Sequence, residues 1–228
     1  MLTQPIPTQS LPTWSQIDAY DVRDNGEALV LIPDLPQLKS HPIYHHQNIT
    51  HAIDVCVARQ TVVEKLQRAC LQLPAHLCLV VLDGWRSRQV QQALQSQLSQ
   101  LIAKTRPELN QWQQQALLAQ FVAPVSPTFV SPHLTGGSVD VTLLDLNTHQ
   151  LLDMGSEFDE PSERSHTTFY ENQPHHPAQQ HRRLLYHIMI SQGFANLSTE
   201  WWHFDYGNAL WAWQYQHTHA IYGASQWH

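Results

Sequence analysis

The 228-residue chain carries 12 basic and 19 acidic side chains, a net charge of −7, and 42% of its residues are hydrophobic. The acidic balance argues against nucleic acid as the main partner, and the apolar fraction supports a real core in a single domain over residues 1–228. No apolar run is long enough to span a bilayer, so no membrane association is expected.

The start, Met1-Leu2-Thr3-Gln4-Pro5, lacks the features of a signal peptide. Cys56, Cys70 and Cys78 have no metal-type spacing, so free thiols and a cytoplasmic setting are expected. In chain order, residues 1–16 read as a loose arm or an early extended segment. Asn25-Gly26 reads as a turn before the apolar run Ala28 to Ile32. Residues 33–51, with prolines and four histidines, read as loop. Apolar residues at Val62, Val63, Leu66, Ala69, Cys70 and Leu73 predict a helix over 61–73, ended by Pro74. Leu77 to Leu82 reads as a buried strand leading into Asp83-Gly84-Trp85-Arg86-Ser87. A helix follows from Ser87 to about Ile102, striped by Val90, Leu94, Leu98 and Leu101. Another is expected over 107–121, on Leu109, Trp112, Ala116 and Leu117. The segment 122–130, with Pro124 and Pro127, delivers the chain to Ser131. Beyond a strand at 139–144 come a turn at Asn147-Thr148-His149 and a return at Leu151-Leu152. Residues 153–180 read as a long functional loop, 182–192 as a helix capped by Gly193, and the Trp-rich tail 210–228 as packed on the body.

Chemistry concentrates in two stretches. Ser131 to Asp140 sets His133 and Asp140 on either side of Gly136-Gly137, and two glycines do not hold a helix. A loop reversing into a strand lets the imidazole and the carboxylate converge, supplying two of the three ligands of an open catalytic zinc site. Glu200-Trp201-Trp202-His203-Phe204 is the best source of the third. Residues three apart on a strand point to opposite faces, so Glu200 and His203 share a site only if Glu200 sits in a bend before the strand. His203 then completes the ligand set, and Glu200 stands beside it as general base. A hydrolase triad of Ser131, His133 and Asp140 is disfavoured, because no Gly-x-Ser-x-Gly turn is present. The cluster His175, His176 and His181 reads as solvated loop rather than a second metal site.

Ser131-x-His133-x-x-Gly136-x-x-x-Asp140, Met154-Gly155-Ser156-x-Phe158-Asp159, Glu163-Arg164-Ser165-His166 and Glu200-Trp201-Trp202-His203 together resemble the zinc D-alanyl-D-alanine dipeptidases. Asp83-Gly84-Trp85-Arg86 resembles that family's Asp-Gly-Tyr-Arg motif, with Trp85 in place of Tyr and Ser87 where Pro is usual. The resemblance runs from about Leu77 to Tyr206. It implies an α+β fold with a central antiparallel sheet flanked by helices. It also implies one zinc ion held by His133, Asp140 and His203, Glu200 as catalytic base, and Arg86 steadying the reacting carbonyl. Ser131 and Asp159 match positions that hold the free amino end of a small dipeptide, and His166 matches a loop brace. The expected activity is hydrolysis of D-alanyl-D-alanine, within cell-wall metabolism. Two alternatives stand beside it: a D,D-carboxypeptidase or L-alanyl-D-glutamate peptidase acting on longer cell-wall peptides, and a non-catalytic zinc-containing peptide-binding module.

Overall fold

The computed structural model of the chain describes residues 3–121, 123–126 and 128–228. In chain order its elements are α1 (Trp14–Asp18), β1 (Leu29–Leu31), β2 (Leu38–Ser40), α2 (Ile43–His46), β3 (Val57–Arg59), α3 (Gln60–Cys70), β4 (Leu77–Asp83), α4 (Arg88–Thr105) and α5 (Gln111–Phe121). There follow β5 (Ser138–Asp145), β6 (Gln150–Leu151), α6 (Pro177–Ser191), β7 (Ala195–Asn196), β8 (His203–Asp205) and α7 (Ala209–Gln214).

The main sheet has strand order β2-β4-β5-β8-β7, with β6 also paired to β5; β1 and β3 form a separate antiparallel pair. The sheet is antiparallel except at one edge, where β2 runs parallel to β4. Strand β5 carries β-branched and leucine residues at Val139, Val141 and Leu143, which are fully buried. They pack with Leu79 and Val81 of β4, Val62 and Leu66 of α3, and Ile188 and Met189 of α6. Burying each such side chain contributes roughly 1.5–3 kcal/mol, so this face anchors the sheet. Among these elements α3, α4 and α6 fall where the apolar periodicity predicts helix, and Ser87 caps α4 by accepting from the Val90 N–H.

The structure corrects several expectations. The stretch 33–51 is not all loop: β2 is recruited by the exposed edge of β4, a tertiary pairing that local composition does not announce. Residues 3–16 pack against the body rather than standing off as a loose arm. Ile6 is buried in the main core, Arg183 and His187 hydrogen-bond the carbonyls of Thr3 and Gln4, and Gln9 bonds the Tyr186 hydroxyl. Helix α6 begins at Pro177, inside the region read as loop, with His176 capping it. On α5 the predicted stripe is misplaced: Trp112 is 77% exposed, whereas Leu118 is buried. Val122 and Pro127 of the expected connecting segment lie outside the described residues. No helix among the described residues is long and apolar enough to cross a membrane.

Candidate metal centre and active site

Strand alternation decides which side chains meet. Because Val139, Val141 and Leu143 enter the core, Ser138, Asp140 and Thr142 face the opposite side of β5. The register of β8 sets His203 opposite Asp140 and Asp205 opposite Ser138, with Phe204 turned into the core. His133 arrives from the short 3-10 turn Pro132–Thr135, which Gly136 closes in the left-handed region at φ 72°. A Cβ at Gly136 would press on the end of the Leu29 side chain, and the left-handed dihedral itself favours glycine. His133 Nε2 lies 3.2 Å from His203 Nδ1 and 3.5 Å from Asp140 Oδ2; His203 Nδ1 lies 3.1 Å from Asp140 Oδ1. One ligand atom from each lies within 4.8 Å of the others, and among the described residues no other group of three His, Cys, Asp or Glu does so.

Hydrogen bonding identifies which nitrogens face inward. The Gly84 carbonyl can only accept, so His133 Nδ1, 2.7 Å away, carries the proton. Asp205 Oδ1 accepts from His203 Nε2 at 3.0 Å. Two imidazole lone pairs and a buried carboxylate therefore converge, a donor set that needs a cation between them and suits the N/O preference of zinc. The titration behaviour agrees. Burial would lower the pKa of His203, yet Asp205 and Asp140 drive it well above the ordinary imidazole value. Burial would raise Asp140, yet His133 and His203 hold it well below the carboxylate range.

Glu200 sits in the turn before β8, as the spacing argument demanded. Its N–H donates to Leu197 O, its carbonyl accepts from the His203 N–H, and its Oε2 lies 3.9 Å from His203 Nδ1. Burial, reinforced by Asp140 and Asp159, pushes its carboxyl up to about 8. Arg86 follows a register shift between Val81 and Asp83 that sets Asp83 opposite Asp140. Gly84 passes so close to the Val57 carbonyl that no side chain fits there. The Arg86 guanidinium stacks over Tyr44 at 5.2 Å and stands 3.5 Å from Asp83, and its Nε has no partner among the described residues. Burial opposes its charge, but Tyr44, Asp83, Asp140 and Asp159 outweigh that and raise its pKa.

Asp159 occupies the left-handed region at φ 59° and accepts from the Tyr44 hydroxyl at 2.7 Å. Burial raises its carboxyl to about 6. Arg86, Ser131, Asp159, Glu200, His133, Asp140 and His203 all line one cavity of about 390 Å³. Ser131 and Asp159 share that wall with no hydrogen bond between them. Thus all seven residues singled out from the sequence come to one place. His166 serves through its main chain, its carbonyl accepting from Arg182. His176 caps α6 and His181 bonds the Asp153 carbonyl, so the tail of the long loop holds no second cluster among the described residues.

Several contributors escaped the sequence reading. Tyr44 pairs with a residue 115 positions away, and no local signal announces that. Arg182 is 2% exposed and donates to the carbonyls of Met154, Arg164 and His166, clasping the loop that carries Asp159. Arg59 is 3% exposed and donates to the Thr135 carbonyl beside the His133 turn. Asp205 was findable: two residues beyond His203 on a strand, it had to share that residue's face.

Comparison with known proteins agrees with this geometry. The sequence profile described as D-Ala-D-Ala dipeptidase matches residues 10–222. A D-alanyl-D-alanine dipeptidase of Synechocystis sp. is 31% identical over 224 residues, covering 88% of this chain and 90% of the relative. One from Escherichia coli is 45% identical over 87 residues, covering 38% of this chain and 42% of the relative. One from Enterococcus faecalis is 43% identical over 74 residues, 32% of this chain and 36% of the relative. With the profile spanning nearly the whole chain and the Synechocystis relative aligned almost end to end, the protein is a peptidase belonging to the D-alanyl-D-alanine dipeptidase family.

Proposed function

We propose that the chain hydrolyses D-alanyl-D-alanine at a zinc ion held by His133, Asp140 and His203. The observation that carries this reading is the convergence of those three ligand atoms within 4.8 Å, in the same cavity as Glu200 and Asp159. The chemistry such an ion supplies is Lewis-acid polarisation of the scissile carbonyl and acidification of the attacking water. Glu200 accepts the water's proton and returns it to the leaving amine. Arg86, permanently charged, stabilises the oxyanion that develops on the carbonyl. Asp159, with Ser131 on the same wall, pairs with the substrate ammonium, and Tyr44 holds the Asp159 carboxylate in place. A peptide blocked at its amino end loses that pairing and leaves a buried acid unmatched, which disfavours longer chains.

The test is amine release from D-alanyl-D-alanine, its N-acetyl derivative and D-alanyl-D-alanyl-D-alanine, each with and without a chelator. Chelator-sensitive cleavage of the free dipeptide, with the blocked one poor, is expected. Full-rate cleavage of the N-acetyl substrate would move the assignment to a peptidase of longer cell-wall peptides. No turnover by a protein that holds one zinc would move it to a peptide-binding module.

A further inference from the structure

Resting on the metal assignment above, we propose that Asp205 is a positioning residue that locks His203 into its Nδ1-ligating tautomer and sets the affinity for the metal. Asp205 is 1% exposed, and a carboxylate that deeply buried must be matched by donors. Three converge on its Oδ1: Ser138 Oγ at 2.6 Å, Asn208 Nδ2 at 2.6 Å and His203 Nε2 at 3.0 Å. None of these roles is free to reverse. Asn208 caps α7, its Oδ1 accepting from the Trp211 N–H, so its amide nitrogen must face Asp205 and Ser138. Ser138 Oγ accepts from that nitrogen at 2.9 Å and so directs its own proton to Asp205. The chain of donors and acceptors runs from the start of α7 through Asn208 and Ser138 to Asp205. With a cation set between Nδ1 and Asp140, it leaves His203 one role, as Nε2 donor, and keeps Nδ1 free to ligate.

The two imidazoles are therefore unequal. His133 Nδ1 is held at 2.7 Å by the neutral Gly84 carbonyl, with Asp83 at 3.2 Å contributing no well-directed hydrogen bond. His203 is backed by a buried carboxylate whose Oδ1 accepts three hydrogen bonds, the arrangement that makes an imidazole the richer ligand. The sheet builds this in, because Asp205 and His203 share one face of β8 and Ser138 lies directly opposite Asp205 on β5.

The experiment measures zinc affinity of the full chain by competition with a chromogenic chelator, for the unmodified protein, Asp205→Asn, Asp205→Ala and Ser138→Ala. Asp205→Asn keeps an oxygen for the three donors and removes only the charge; affinity is expected to fall about tenfold, and about a hundredfold for Asp205→Ala. Ser138→Ala, which perturbs the acid from the neighbouring strand, is expected to fall less than Asp205→Ala, and it keeps the test open if the latter does not fold. Ring-nitrogen NMR of the zinc-loaded protein should find the His203 proton on Nε2, with a second tautomer emerging in a folded Asp205 variant. Tight zinc binding by the unmodified chain, with the same affinity in the folded variants, overturns this proposal alone, even if their melting temperatures drop. Failure of the unmodified chain to bind zinc sinks the metal assignment and this proposal together.

Discussion

The two sides of the cavity are built by different means. On the metal-facing side the main chain does the placing: β5 and β8 pair in a register that sets Asp140 against His203, and a glycine-closed turn brings in His133. A strand register cannot slip by a fraction of a residue, so this side is specified by the same contacts that build the core. On the side of Asp159, side chains do the placing. Arg182 holds three carbonyls of the surrounding loop at 2.6–2.7 Å, and Tyr44 holds the carboxylate itself. A buried guanidinium and a phenol are prominent there, beside the hydrogen bonds from Trp201 to Ser156 and Ser165 and from Tyr170 to Gly155. Asp140 and His203 thus stand on paired strands of the sheet, while Asp159 stands on a clasped loop.

The largest effect should come from the sheet side. Glu200→Gln is expected to lower kcat about 100- to 10,000-fold, the usual worth of a positioned general base. Metal content, measured by elemental analysis, should be unchanged, since Glu200 lies outside the ligand set. Loss of metal in that variant would make Glu200 a ligand and dissolve the distinction between ligand set and base.

Arg182→Met tests whether the two sides are independent. Three carbonyls lose their donor, so stability is expected to fall by about 3 kcal/mol or more, read as a lower Tm. KM for the dipeptide should rise about tenfold as Asp159 loses its frame. Zinc affinity should stay within twofold (roughly 0.4 kcal/mol). An equal fall in zinc affinity would show that the loop also supports the sheet side.

Asp159→Asn sharpens the role of the clasped carboxylate. It is expected to cost roughly 10- to 100-fold in kcat/KM, mostly through KM. The pH dependence follows from the sign of the shift. Burial raises Asp159 to about 6, so its charged form prevails above that pH and is lost below it. The unmodified protein should therefore show a component of kcat/KM that falls as pH drops through about 6, and the variant should lose that component while keeping the acid limb of the base Glu200. A surviving component near pH 6 would point to Asp83, which burial also raises to about 6. The smallest effect is expected for Tyr44→Phe, a few-fold rise in KM, in keeping with one hydrogen bond to a charged group. Because the Tyr44 hydroxyl counters burial and lowers the Asp159 pKa, its removal should move the Asp159 component to higher pH.

Read by itself, the sequence determined the sheet side. Alternation along 139–144, two glycines after His133, and the spacing from Glu200 to His203 each constrain local backbone, and local backbone was enough to predict which groups converge. Period-two reasoning also contained Asp205, although it was not drawn out. Only the tertiary structure decided the rest. The β2 strand exists because β4 offers it an edge, and Ile6 is ordered because α6 and the core receive it. Tyr44 and Asp159 meet although 115 residues separate them, and Arg182 clasps a loop whose composition marks it only as polar. Such contacts join side chains to distant carbonyls and hydroxyls, which carry no periodicity of their own. Nothing in the local chain records them until the sheet and helices have brought the partners together.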